Sequence, residues 1–491
     1  MVQLDTGSSN LWVPSADSVE CKHHPVICAA TGTYSSNKSS TYQLMNADFY
    51  AQYGTPEIDI GDYVSDTVHI NGVSLPNVTF GLALKESGAG DSFGILGVGY
   101  TMNEGGYRFN HNTSLVYPTV LDQLVTSGTI DRHVFSLFLN DQAAGKGSIL
   151  FGGVDSGKYT GALTALPIIQ NNYNGTMVYL EYRVALTSIS INSETGNSVL
   201  TSSNFSNAAL LDSGTTSMDL PMSVAQAIYS GLGAKNLSST TYVTSCVYMN
   251  SNSTLSFQFG GPTGPTVNVS FAEILVPTGT NFGDGDEICE IRIAGVPDAT
   301  SQADGIVLGD AFLRAAYLVY DLDNNEIAIA QAKLNSTESN VQAISSGEAV
   351  PGVSSTAMAT APVVTYTSPF AAAASTTSAA GSSGTASAAS SASTQLPSIP
   401  QSAGSPTFSL GVTPSASGSS GAGVSAMSSG SAGGAGASAS SSGSASGAGA
   451  SASSSGSASG AGATASASMG KMTWGVLVSL AMSFFAGMLI L

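Results

Sequence analysis

Positive charge is scarce in this chain. Its 491 residues carry 13 Lys and Arg against 32 Asp and Glu, a net charge of −19. No basic patch exists to neutralise phosphates, which excludes nucleic acid as a partner. Beyond Glu348 charge of either sign nearly vanishes, and Lys471 is the one charged side chain left. The acidic excess therefore belongs to the first part of the chain, where it serves solubility or use in an acid compartment. Cysteine is rare too: Cys21, Cys28, Cys246 and Cys289 are the whole set, and four allow three connectivities. Pairing neighbours would keep each bridge within one half of the folded part. A signal peptide is missing, since Met1-Val2-Gln3-Leu4 is no apolar leader. Long apolar runs are absent until 474–491, which is barely long enough to span a bilayer and has no basic flank behind it. Small residues (Gly460-Ala461-Gly462-Ala463) and a short polar spacer precede it. That is the layout of a glycosylphosphatidylinositol (GPI) attachment signal, with an ordinary membrane anchor as the alternative. Such a signal requires entry to the secretory pathway, so the expectation is that the true N-terminus precedes Met1.

What is present, up to about residue 335, is a series of short alternating apolar runs. Examples lie at 64–70, 148–152, 179–191, 256–259 and 316–320. Turn signals such as Asn71-Gly72, Gly152-Gly153 and Asp323-Asn324-Asn325 separate them. This is an all-β pattern. Helices are expected only at 119–127 and at 223–232, the latter entered after Pro221. Asn-x-Ser/Thr acceptors begin at Asn37, Asn77, Asn112, Asn174, Asn204, Asn236, Asn252, Asn268 and Asn335. So many, spread over the folded part, fit a secreted glycoprotein whose cysteines are oxidised. From 346 to 468 the chain is Ser, Ala, Gly and Thr with scattered Pro, and 436–448 and 449–461 are identical copies. Burial there cannot offset ordering entropy. The expected organisation is an N-terminal lobe over 1–165, a C-terminal lobe over 166–335, a stalk over 336–468 and a hydrophobic attachment signal over 469–491.

Two stretches carry the chemistry: Leu4-Asp5-Thr6-Gly7-Ser8-Ser9 and Leu211-Asp212-Ser213-Gly214-Thr215-Thr216. Each is an apolar run delivering an Asp, a hydroxyl residue, a Gly and more hydroxyls. Two copies suggest two lobes giving one carboxylate each to a shared site. Two carboxylates about 3 Å apart cannot both ionise comfortably, so one stays protonated as an acid while the other serves as a base. That pair can activate water for peptide hydrolysis and needs no cofactor. Gly7 and Gly214 permit the tight turns. Thr6 and Ser213 can bond across to the opposite loop, and Ser8 and Thr215 can bond the outer carboxylate oxygens. A single Asp-Thr-Gly is a weak signal; two copies ending apolar strands are a much stronger one.

On these residues the chain resembles the pepsin-like aspartic proteases over 1 to about 335, and within them the fungal yapsin-like group at the cell surface. Asp5-Thr6-Gly7-Ser8-Ser9-Asn10-Leu11-Trp12-Val13-Pro14 matches the family's first motif. Gln52-Tyr53-Gly54-Thr55 looks like its flap hairpin, with Trp12 as the hydrogen-bonding neighbour of Tyr53. Gly94-Ile95-Leu96-Gly97 and Ile306-Val307-Leu308-Gly309-Asp310 resemble the segments that thread the catalytic loops. The resemblance implies a bilobal double β-barrel with a cleft between lobes, Asp5 and Asp212 as catalytic residues, and protein or peptide substrates. It also implies adjacent pairing of the cysteines. A monomer is expected, attached to the membrane by a lipid anchor. The flap tip departs from the family in having Pro56-Glu57. The alternative function is a non-catalytic wall mannoprotein on a protease fold.

Other motifs weigh less. Cys21-Lys22-His23-His24 with Cys28 has zinc-ligand residue types, but an oxidising compartment favours a disulfide loop, so no metal is expected. Gly90-Asp91-Ser92-Phe93-Gly94 has the form of a hydrolase nucleophile elbow without its α/β context. Asp321-Leu322-Asp323-Asn324-Asn325 lacks the Gly and closing Glu of a calcium loop.

Overall fold

The computed structural model describes residues 1–53, 58–86, 93–110, 116–194, 196–238, 241–298, 305–366 and 478–481. The architecture is mostly β and bilobal, as expected. The first lobe is built on a six-stranded sheet. Its order is Val2–Asp5, Gly94–Gly97, Leu11–Pro14, Val73–Glu86, Ile58–Ile70 and Gln43–Gln52. Asn71 and Gly72, with φ of 43° and 84°, form the two-residue turn joining the long hairpin 58–86. The second lobe repeats the pattern. Asn207–Leu211 runs parallel to Val307–Leu308, which is antiparallel to Met218–Pro221, which is parallel to Ile293–Val296. In the first lobe Val2–Asp5, Gly94–Gly97, Leu11–Pro14 and Val73–Glu86 have the same relations. A third sheet carries strands from both halves of the chain, Val134–Phe138 and Ser148–Phe151 beside Ala316–Asp321 and Glu326–Ala332.

The core follows from sequence pattern. Asn207–Leu211 and Val134–Phe138 are buried at every position, which suits largely apolar strands inside a sheet. The helix Val120–Thr126 starts at a capping box between Thr119 and Asp122. Met222–Gly231 follows Pro221 and buries Val224, Ala225 and Ile228. Several short helices escaped expectation, among them the pair Val19–His23 and Pro25–Thr31. The Cys21–Cys28 bridge joins them, and Cys246–Cys289 forms the second disulfide. The strand expected at 179–191 begins only at Arg183. Residues 179–182 cross between sheets instead, with the Tyr182 carbonyl accepting from Leu211 N–H.

The expected stalk boundary at 336 needs correction. Val341–Ala343 pairs with Gly153–Asp155, Val353–Thr356 with Tyr159–Pro167, and Thr365–Tyr366 with Asn171–Tyr173. Ile344, Ala357 and Val364 are buried. A few well-spaced apolar residues seat this segment, and averaging over a long Ser-rich window hid them. The rest of the expected stalk lies outside the described residues. So does the attachment signal, apart from Val478–Ala481, which lies antiparallel to Ser148–Phe151.

Burial leaves a pH signature. Glu104 is pushed up to about 8, and Glu86, Glu273 and Asp310 to about 7, each chiefly by burial. Raised carboxyl values favour the fold fully below the unfolded pKa near 4, and that contribution is lost as pH rises through 7 to 8. His133, bonded to Asp122 and Asp323, is raised to about 9 and adds a loss in the same direction. Asp66 is held down to about 2, against its own burial, by the hydroxyls of Ser39, Thr41 and Tyr34. Its contribution holds above about pH 4 and fades only toward pH 2. The melting temperature, followed by circular dichroism, is therefore expected to peak near pH 4 to 5 and to fall steadily up to pH 8.

Candidate active site

Asp5 is the last residue of its strand, in register with Gly97. Asp212 directly follows Leu211, which is in register with Leu308. The two repeated units thus deliver one carboxylate each to a common point. The local wiring is matched. Gly7 N–H donates to Asp5 Oδ1 at 2.7 Å and Ser8 Oγ donates to Asp5 Oδ2. Gly214 N–H donates to Asp212 Oδ1 at 2.8 Å and Thr215 Oγ1 to Asp212 Oδ2 at 2.8 Å.

The loops are also tied to each other. Thr6 Oγ1 donates to the Leu211 carbonyl at 2.8 Å and accepts from Ser213 N–H at 2.9 Å. Ser213 Oγ donates to the Leu4 carbonyl at 2.9 Å and accepts from Thr6 N–H at 3.2 Å. Thr6 and Ser213 are buried, so water cannot substitute. Glycine is required at both turns by close approach. A Cβ on Gly7 would lie 2.6 Å from Asp212 Oδ1, and one on Gly214 would lie 2.4 Å from Asp5 Oδ1.

Asp5 is buried, and its carboxyl is pushed well up, first by burial and then by the adjacent charge of Asp212. Donors from Ser8 and Gly7 oppose the rise without cancelling it. The pair therefore keeps a proton far above the usual carboxylate range.

Trp12 Nε1 donates to the Tyr53 hydroxyl at 2.7 Å. Tyr53 packs beside Trp12, Phe49 and Tyr63, and its hydroxyl is pushed up by burial and by the charge of Asp5. Gly54 and Thr55, expected to complete the flap, lie outside the described residues, as do residues 90–92 of the Gly-rich loop. The Cys21 and Cys28 sulfurs are bonded to each other. No cluster of three or more His, Cys, Asp or Glu suited to a metal occurs among the described residues.

Three further residues support the loops, and the first two escaped sequence reading. Gln3 Nε2 donates across to the Gly214 carbonyl at 3.1 Å. Asn103 Nδ2 donates to the Gly7 carbonyl at 2.9 Å. Asp310 N–H donates to the Thr215 carbonyl at 2.8 Å, and its carboxyl lies 3.6 Å from Arg314. Gln3 stands two residues before Asp5 and was a readable signal; Asn103 had none.

A family model described as eukaryotic aspartyl protease matches residues 1–332. A probable aspartic-type endopeptidase, opsB, of Aspergillus oryzae is 39% identical over 354 residues, covering 71% of this chain and 69% of that protein. The acid protease of Saccharomycopsis fibuligera is 35% identical over 334 residues, 68% of this chain and 77% of that one. Secreted aspartic protease 3 of Candida albicans is 33% identical over 351 residues, 70% and 78% of the two chains.

Thr6→Val would orphan the Leu211 carbonyl and Ser213 N–H in a buried setting, an expected loss of about 2–4 kcal/mol. Thr6→Ser keeps both bonds and is expected to cost less than about 1 kcal/mol. Chemical denaturation of the two variants checks the difference.

Proposed function

We propose that this chain, which belongs to the eukaryotic aspartyl protease family and is an aspartic-type endopeptidase, cleaves with Asp5 and Asp212 as its catalytic pair. The carrying observation is the matched set of donors around two carboxyls tied together by Thr6 and Ser213. The pair holds one proton. Its ionised member takes a proton from water as the water oxygen attacks the peptide carbonyl carbon. Its protonated member gives a proton to the carbonyl oxygen. The tetrahedral diol then collapses: the amide nitrogen takes a proton from the pair, the C–N bond breaks, and a diol hydroxyl returns its proton to the ionised carboxylate, which restores the singly protonated pair. The Tyr53 hydroxyl, held by Trp12, caps the bound peptide.

Activity requires one proton on the pair. It falls when both carboxyls ionise at higher pH and when both are protonated in strong acid, so the optimum is acidic. A non-catalytic role would leave two carboxyls, Asp5 buried and Asp212 half-buried, with matched donors and nothing for them to do.

The reading extends to location. All eight described sequon asparagines, Asn37, Asn77, Asn174, Asn204, Asn236, Asn252, Asn268 and Asn335, are exposed, as glycan acceptors must be. Asn112 lies outside the described residues. Together with the C-terminal small-residue and apolar layout, this supports a secreted glycoprotein of the yapsin-like kind, held at the cell surface by a GPI anchor. The Candida albicans relative is named as secreted.

Asp212→Asn is expected to lower kcat by about a thousandfold or more with the melting curve preserved; peptide hydrolysis at the wild-type rate would refute the pair. Phosphatidylinositol-specific phospholipase C is expected to release the activity from cells, and full retention would refute the anchor.

A further inference from the structure

The family match ends at residue 332, yet the described chain continues round the body to Tyr366. That residue arrives at a buried ionic cluster. Its hydroxyl lies 2.7 Å from both Glu181 Oε1 and Oε2. Arg183 Nε donates to Glu181 Oε2 at 2.7 Å, and Asn171 Nδ2 donates to the same oxygen at 3.2 Å. Oε1 has less: besides Tyr366 it has Arg108 Nη1 at 3.4 Å. Arg108 also stacks over the Tyr366 ring, 4.6 Å from its centroid. Glu181 and Arg183 are 6% and 1% exposed. A carboxylate so buried depends on every donor it has.

Two routes lead from this cluster to the catalytic strands. Along the first, Arg108 Nη1 donates to Asn103 Oδ1 at 2.5 Å, and Asn103 Nδ2 donates to the Gly7 carbonyl at 2.9 Å. Gly7 N–H is itself the donor to Asp5 Oδ1. The second runs through Tyr182, between Glu181 and Arg183. Its hydroxyl donates to the Val98 carbonyl at 2.6 Å, and Val98 N–H donates to the Asp5 carbonyl. The Tyr182 carbonyl accepts from Leu211 N–H, one residue before Asp212. Tyr182, beside Glu181, therefore bonds to the backbone that leads to each member of the pair.

We propose that Tyr366, carried in by the strap 341–366 beyond the family match, is a positioning residue for hydrolysis: its hydroxyl fixes Glu181 and, through Arg108 and Asn103, the loop that aims Asp5. This rests on Asp5 and Asp212 being the catalytic pair. The strap is thus part of the working enzyme.

Tyr366→Phe keeps the ring over Arg108 and removes only the hydroxyl. In the full chain it is expected to lower kcat roughly three- to tenfold, part of what a hydrogen bond to a charged group is worth. KM should stay within about twofold, because substrate contacts are untouched. Asn103→Ala should do the same, and the double variant should lose no more than the stronger single one. A merely structural Tyr366 would lower the melting temperature, leave kcat per folded enzyme unchanged and give additive losses; that result overturns the proposal. Should Tyr366→Phe not fold, an unchanged kcat in Asn103→Ala overturns it equally. A wild-type protein that hydrolyses no peptide refutes this and the proposed function together. An active wild type, an inactive Asp212→Asn and a fully active Tyr366→Phe refute this inference alone.

Discussion

Two carboxyls held side by side, one buried and the other half-buried, repel each other, and the centre of the molecule is arranged to keep them there. The restraint is the reciprocal bonding of Thr6 and Ser213, in which each hydroxyl donates to a carbonyl of the other loop and accepts its N–H. No charge is spent in these bonds, and none can drift to solvent. The repeated strand pattern of the lobes sets the loops face to face, and the four bonds set the distance. Without them the pair would relieve its repulsion by separating, and the shared proton would be lost.

The same low-dielectric surroundings act well beyond the pair. Glu86, Glu104, Glu273 and Asp310 are all carboxyls placed where ionisation is costly. Each is tolerable in acid, where it is neutral. A protein that works with a protonated carboxyl can bury others at little cost, and its acidic composition then stops being a source of self-repulsion. On the proposed mechanism, chemistry and stability draw on one condition, a supply of protons.

Much of this was legible in the residues. The two Asp-hydroxyl-Gly stretches stand at strand ends that both periodicity and the glycines announce. Asn71-Gly72 and the Thr119 cap act locally, so their neighbours in sequence suffice to read them. What was illegible is non-local. Asn103 reaches Gly7 from 96 positions away, and nothing beside it signals that. Tyr366 sits at the edge of a Ser- and Ala-rich tract whose average composition speaks for disorder. Its partners, Glu181 and Arg183, looked like part of an ordinary strand. A buried ion cluster assembled from four separate segments leaves no periodic trace in any of them.

Gly7 and Gly214 are each shaped by the other lobe: the space beside one is filled by Asp212, and the space beside the other by Asp5. The halves are therefore not interchangeable modules, however alike their strand patterns. A chimaera joining the first half of this chain to the second half of a relative would have to inherit a glycine on each side and matching loop curvature. Either half, altered alone, would be read as an error by its opposite.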